Sequence, residues 1–141
     1  MNSPAIHPVT TIIAKAVIRR DGRLLVMRHA QGHVDLPGGR LRTGEDLLDG
    51  LRRELHEELG LEQCQVDERP LFAWNWFSAG ANLNVVGVAF GVSVAEEQTL
   101  KNREREIVIW VRRSDFHRIT FAPQHRPSYL KYLTASWVGV Q

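Results

Sequence analysis

Residues 36–61 read LPGGRLRTGEDLLDGLRRELHEELGL, and their hydrophobic spacing predicts an amphipathic helix over residues 45–59. At about 100° per residue, five leucines fall within an arc of roughly 120°, which predicts one buried face. These leucines are Leu47, Leu48, Leu51, Leu55 and Leu59. Thr43, with Asp46 three residues later, predicts an N-terminal capping box, and Gly60 suits the left-handed position after the last turn.

Three glutamates crowd the last turns of this helix. Glu54, Glu57 and Glu58 lie within about 6 Å along the axis, and Glu58 falls inside the leucine stripe. Like charges four residues apart repel, and a carboxylate facing a core loses hydration. Arg53 can pair with one of them, and a divalent cation can offset all three. Oxygen ligands favour Mg²⁺ or Mn²⁺ over Zn²⁺. Gly50, one turn before Glu54, is expected to leave space beside the carboxylates.

A glycine-rich loop leads into the helix. The sequence Pro37-Gly38-Gly39 lets the backbone approach a ligand closely, with peptide groups available to it. Glycine pairs are common in ordinary turns, and acids at this spacing are common on solvated helix faces. The loop and the inward position of Glu58 together favour a ligand site over these alternatives.

The composition is typical of a globular protein, and we expect a single domain over residues 1–141. Eighteen basic and sixteen acidic residues give a net charge of +2, and no long basic block indicates a nucleic-acid surface. The single cysteine, Cys64, excludes an intrachain disulfide and has no nearby histidine to activate it. No signal peptide or membrane span is readable, so we expect a cytoplasmic protein.

Predicted strands lie on both sides of the helix. An irregular start at residues 1–10 leads to strands at 11–19 and 23–29, joined by a tight turn at Asp21-Gly22. Further strands are predicted at residues 66–77, 83–94 and 107–111, with a polar loop at 95–105 and a helix at 128–138. These elements predict a mixed α/β domain.

Nine residues between positions 39 and 61 fit the pattern G-x5-E-x7-R-E-U-x-E-E-x-G-U, in which U is aliphatic. They are Gly39, Glu45, Arg53, Glu54, Leu55, Glu57, Glu58, Gly60 and Leu61. This stretch resembles the Nudix box, and the chain is similar to MutT-like Nudix hydrolases. The resemblance implies an α/β/α sandwich with a mixed central sheet, one Nudix-box helix and a C-terminal helix.

The resemblance also implies an activity. Nudix hydrolases cleave a nucleoside diphosphate linked to another moiety, with Mg²⁺ or Mn²⁺ as cofactor. A modified nucleoside triphosphate or a related small nucleotide is the expected substrate. By analogy, the metal ligands are the carboxylates of Glu54, Glu57 and Glu58 and the carbonyl of Gly38, and Gly38 and Gly39 border the substrate. Arg53 orients a carboxylate, and Glu45 holds the loop or assists proton transfer.

One further glutamate outside the box is expected near the metals. The resemblance favours Glu106, with Glu104, Glu96 and Glu97 as alternatives, although a solvated loop acid is the commoner explanation for each of them. Arg28, at the end of the second strand, is either a phosphate-binding residue or a surface arginine.

Aromatic residues alternate along the third predicted strand. Phe72, Trp74 and Trp76 share one face, where Trp74 and Trp76 either stack on a nucleobase or belong to the core. His29 and His33 flank the glycine loop and are either bases or surface residues.

Two other functions remain open at this point. A nucleotide-sensing module without turnover usually loses box glutamates, whereas this chain keeps all of them. Removal of pyrophosphate from RNA 5′ ends needs a basic channel that the sequence does not show. The oligomeric state is open, a homodimer included.

Overall fold

The computed structural model describes residues 9–30, 32–95, 100 and 106–135. In chain order, its elements are β1 (Thr10–Arg20), β2 (Arg23–Arg28), β3 (Val34–Asp35), β4 (Gly38–Arg40), α1 (Leu47–Leu59), β5 (Gln65–Ser78), β6 (Leu83–Ser93), β7 (Ile107–Arg112), a 3-10 helix (Arg113–Arg118) and α2 (Arg126–Ala135).

The strands of the described chain form one mixed sheet with the order β3-β2-β1-β6-β5. β1 pairs in parallel with β6 over nine residues, from Thr10 opposite Asn84 to Ile18 opposite Val92. The pairs β1–β2, β1–β4, β2–β3, β2–β7 and β5–β6 are antiparallel. The predicted mixed central sheet is confirmed.

Side chains of β1 alternate between two cores, one on each face of the sheet. Ala14, Ala16 and Ile18 pack in the core under α1, whereas Ile13 and Val17 belong to the core under α2 and the 3-10 helix. The leucine stripe of α1 fills the first core as predicted, because Leu51, Leu55 and Leu59 are fully buried. The α/β/α sandwich is therefore confirmed.

Both predicted hairpins are present. Asp21 and Gly22 form the turn that joins β1 to β2, and both have positive φ angles, of 53° and 73°. β5 and β6 are joined through residues 79–82. Their register shifts between Val66 and Phe72, so the first half of β5 is irregular.

The start of α1 differs from the predicted one. The helix begins at Leu47 rather than at Glu45, and its N-cap is Asp46 rather than Thr43. The Asp46 side chain accepts hydrogen bonds from the backbone N–H groups of Leu48 and Asp49, at 3.1 and 3.3 Å. At the other end, Gly60 adopts the expected left-handed conformation with φ 68°.

Two short strands occur where an irregular loop is predicted. β3 and β4 flank Leu36 and Pro37, and β4 pairs with β1. α2 begins at Arg126, two residues before the predicted start, and the predicted residues 136–138 lie outside the described chain. Residues 1–8 and most of the loop at 95–105 also lie outside it. Among the described helices, none is long and apolar enough to cross a membrane.

Candidate active site

The glycine loop is fixed between β1 and α1. Gly38 lies opposite Lys15 in the β1–β4 pair and has a φ of +128°, a conformation that favours glycine. A Cβ atom at this position would collide with the carbonyl oxygen of Ala14. The N–H of Gly38 donates to Oε1 of Glu58 at 2.7 Å. The loop and the box helix are therefore tied together by this hydrogen bond.

Glu58 carries its carboxyl group toward the apolar side of α1, as the leucine stripe predicts. The residue is only 7% exposed. Burial raises the pKa of Glu58 to about 8, and the charges of Glu106 and Glu54 act in the same direction. The Gly38 N–H and the Lys15 ammonium oppose this shift without cancelling it.

Glu106 is the residue immediately before β7, and it lies near enough to Glu58 for its charge to act on that carboxyl group. Its side chain is 16% exposed, and its Oε1 is 2.6 Å from Nδ1 of His29. Its Oε2 is buried and has no hydrogen-bond partner within the part of the chain that the structure describes. The alternative acids Glu96, Glu97 and Glu104 lie outside the described residues.

Arg53 forms a second group of contacts in the site, with Glu45, Glu54 and Glu57. Its Nε and Nη2 donate to Glu45 at 2.7 and 3.0 Å, and its Nη2 also donates to the carbonyl of Arg40 at 3.0 Å. Its Nη1 donates to Glu54 at 3.1 Å and to Glu57 at 3.2 Å. The hydrogen bonds from Arg53 lower the pKa of Glu45 to about 2, and those to Glu45 raise the pKa of Arg53.

The three box glutamates do not converge on one point. Glu54 and Glu57 share the guanidinium of Arg53, whereas Glu58 is directed toward Gly38. Among the described residues, no group of three or more His, Cys, Asp or Glu side chains is gathered closely enough to hold a metal ion. A guanidinium between two carboxylates supplies the positive charge that their proximity requires.

The glycine that makes room for Glu54 is not the one expected from the sequence. A Cβ on Gly50 would collide with Leu41 and would lie 2.8 Å from Oε1 of Glu45. A Cβ on Gly39 would lie 2.7 Å from the Glu54 carboxylate. Gly39 therefore leaves the space beside Glu54, and Gly50 accommodates the loop that carries Glu45.

Arg28 and the two tryptophans occupy different environments. Arg28 is exposed at the end of β2. Trp74 is 7% exposed, and its indole N–H donates to Nδ1 of His125 at 3.1 Å. Trp76 is half-buried, with its ring 4.7 Å from the His125 ring. The structure thus places Trp74 in the core, and Trp76 keeps part of its surface accessible.

A buried polar network, which the motifs of the sequence do not predict, lies under the glycine loop. Lys15 is 7% exposed, and its Nζ is 3.0 Å from Oδ2 of Asp35. The other carboxylate oxygen of Asp35 accepts from the Tyr129 hydroxyl at 2.7 Å. The burial of Lys15, although not its partners, has a signal in the sequence, because Lys15 lies two residues from Ile13 and from Val17 and so shares their face of β1, which is a core face.

Comparison with known proteins agrees with this geometry. The NUDIX domain profile matches residues 8–132, which is most of the chain. The chain belongs to the NUDIX family. A MutT-like protein of Streptomyces ambofaciens is 45% identical to this Nudix chain over 67 residues, which make up 47% of the chain and 42% of that relative. The match thus spans less than half of the relative's length.

Solved structures share the Nudix fold. The solution structure of the E. coli ORF135 protein has a TM-score of 0.77 at 25% identity and covers 94% of each chain. The MutT protein from Methanosarcina mazei Go1 has a TM-score of 0.77 at 22% identity, over 94% of this chain and 99% of that one. The predicted MutT-like Nudix fold is confirmed.

Proposed function

We propose that this Nudix protein is a metal-dependent pyrophosphohydrolase that cleaves a nucleoside diphosphate linked to another moiety. A nucleoside triphosphate, modified or not, or a related small nucleotide is the proposed substrate. The observation that carries the proposal is the buried acid Glu58, which is bonded to the glycine loop and lies near a second, partly buried acid, Glu106. An apolar packing role does not account for two carboxyl groups taken out of water at one place.

The donor set fits a divalent cation in its chemistry. Oε2 of Glu106 is buried without a hydrogen-bond partner among the described residues, and the Glu58 carboxyl has no cationic side chain bonded to it there. Both groups offer hard oxygen atoms, which suit Mg²⁺ or Mn²⁺. The groups that would hold the cations are the carboxylates of Glu54, Glu57, Glu58 and Glu106 and the carbonyl of Gly38. When bound, such a cation neutralises diphosphate charge and activates water for attack at phosphorus.

The chain's own residues prepare the site before substrate arrives. Glu58 anchors Gly38 through the 2.7 Å hydrogen bond. Arg53 fixes Glu45 through two hydrogen bonds and so holds the loop ahead of α1 against the helix. Glu57 is 40% exposed and bonded to arginines near the surface, so its carboxylate can exchange an arginine for a cation at small cost.

Groups outside the box are available to the substrate. Arg28 is exposed at the end of β2, next in sequence to His29, which contacts Glu106. A guanidinium there would bind a phosphate group in two-point fashion. The accessible part of Trp76 would stack on a base. Trp74 contributes by fixing His125, against which Trp76 packs.

A substrate panel tests the proposal. Nucleoside triphosphates, dinucleoside polyphosphates, nucleotide sugars and a 5′-triphosphate RNA are incubated with Mg²⁺, Mn²⁺ or EDTA, and released phosphate and pyrophosphate are measured. We expect cation-dependent hydrolysis of a small nucleotide and none in EDTA. Turnover of RNA alone would favour the RNA 5′-end alternative. Binding without turnover of any compound would favour the sensing module.

Glu57→Gln tests the assignment of the ligands. We expect kcat to fall about 100-fold or more, because a neutral amide replaces a carboxylate ligand of the cation. This loss corresponds to roughly 3 kcal/mol of transition-state stabilisation. The melting temperature should change little, since the Glu57 side chain is 40% exposed. Glu62→Gln is the matched control, because Glu62 is an exposed glutamate just after α1. Equal kcat in the Glu57 variant and the wild type would refute the assignment.

A further inference from the structure

The Lys15 ammonium is enclosed by the glycine loop. Besides its ion pair with Asp35, its Nζ donates to the carbonyl oxygens of Leu36 and Gly38, both at 3.2 Å. A lysine ammonium has three N–H donors, and each of them has an acceptor here. Burial of a lysine is costly unless it is paired and hydrogen-bonded, and this site meets both conditions.

Three successive loop carbonyls accept their hydrogen bonds from β1. Leu36 and Gly38 bind the Lys15 side chain, and the carbonyl of Pro37 accepts from the backbone N–H of Ala16 at 2.9 Å. Both polar groups of Gly38 are thus engaged, because its N–H is bonded to Glu58. The position of the Gly38 peptide is therefore determined by Lys15 on one side and by the box helix on the other.

Given the proposed function, we infer that Lys15 is a positioning residue, which holds the Gly38-Gly39 segment against Glu58 and Glu54. A Cβ on Gly39 would lie 2.7 Å from the Glu54 carboxylate, so this carboxylate borders the segment and depends on where its backbone lies. Loss of the ammonium would leave the carbonyls of Leu36 and Gly38 without this donor. Lys15 itself is too buried to contact a substrate.

The side chain of Asp35 holds the Lys15 ammonium in place through an ion pair. Its Oδ2 pairs with Lys15, and its Oδ1 accepts from the Tyr129 hydroxyl and from the Leu36 N–H, both at 2.7 Å. Tyr129 belongs to α2, so the loop is connected to the second helix through two side chains. Lys131→Met is the matched control, because it makes the same substitution at an exposed lysine of α2 that lies outside this network.

Two variants test the inference. Lys15→Met removes the ammonium, and the double variant Lys15→Met/Asp35→Asn also removes the Asp35 charge that would otherwise stay buried without the ammonium, so that a cost to the fold can be separated from the effect on the loop. Amide hydrogen exchange is measured by NMR in EDTA without substrate, and kcat and KM are measured with the best nucleotide and saturating Mg²⁺ or Mn²⁺. The exchange rate of Gly38 is compared with that of Phe90 in β6, which reports on global opening.

We expect exchange at Gly38 to accelerate at least about tenfold relative to Phe90, with kcat reduced about 10- to 100-fold. Lys131→Met should leave both quantities within about twofold of the wild type. An unchanged Gly38-to-Phe90 ratio, or an unchanged kcat with a faster Gly38, would overturn the inference. A wild type without hydrolytic activity would refute the proposed function alone, because the exchange ratio would then decide the role of Lys15 in the loop.

Discussion

Glu58 links the charge state of the candidate site to the stability of the fold. Its carboxyl group is buried on the apolar side of α1, and its pKa in the folded protein is about 8. The ordinary value for an unfolded glutamate is near 4.5. The folded state therefore binds a proton that the unfolded state has already released between these two values. By linkage, the free energy of unfolding falls as pH rises through this window.

The variant Glu58→Gln should remove this dependence. In EDTA at pH 8.5, we expect the variant to be more stable than the wild type by about one to a few kcal/mol, because the neutral amide avoids the cost of a buried charge. At pH 5 the wild-type carboxyl is protonated in the fold, so the two proteins should differ little. Urea unfolding at both pH values measures this. A difference that is the same at pH 5 and pH 8.5 would contradict it.

At the scale of a single element, the start of α1 depends on Asp46. Asp46→Ala removes an acceptor for two backbone N–H groups, and we expect the free energy of unfolding to fall by about 1 kcal/mol. Thr43→Ala is the matched control, because Thr43 is exposed and lies outside the helix. Urea denaturation of both variants decides between the caps. A larger loss for Thr43→Ala would restore the capping box that the sequence predicts.

The long elements can be predicted from the sequence, whereas the short ones depend on their neighbours. The 3.6-residue period recurs through α1, and β-branched residues recur through β1, so both elements are visible in the chain itself. β3 and β4 have two and three residues, which is too few for any period, and they exist because β2 and β1 lie beside them. The choice of Asp46 as cap is likewise decided by tertiary contacts, since Glu45 is bonded to Arg53.

In the candidate site, too, some positions can be predicted from the sequence and some contacts cannot. The box positions follow from spacing along one helix, so their inward and outward directions can be worked out before the fold is known. Lys15 meets Asp35 across 20 residues, and Tyr129 meets Asp35 across 94, so sequence spacing alone gives no indication of these contacts. The same applies to His29 and Glu106, whose contact depends on the pairing of β2 with β7.

At the scale of the whole molecule, the two cores share the central sheet and should unfold together. Leu55 in α1 and Leu133 in α2 are both fully buried, on opposite faces. We expect Leu55→Ala and Leu133→Ala each to cost about 2–5 kcal/mol, because each leaves a cavity. Far-UV circular dichroism and tryptophan fluorescence in urea should give coincident transitions for both variants. Separate transitions for either one would show that the two layers fold independently.

The place of β5 at the end of the sheet bears on how this protein resists aggregation. Among the described strands, β6 alone pairs with it, so its other edge offers backbone groups to which a foreign strand can bond. Its first half is protected by the register shift and by the exposed residues Asp67, Glu68, Arg69 and Pro70. Residues 71–78 carry no charge and no proline. Intermolecular β-sheet growth under destabilising conditions should therefore begin along this second half.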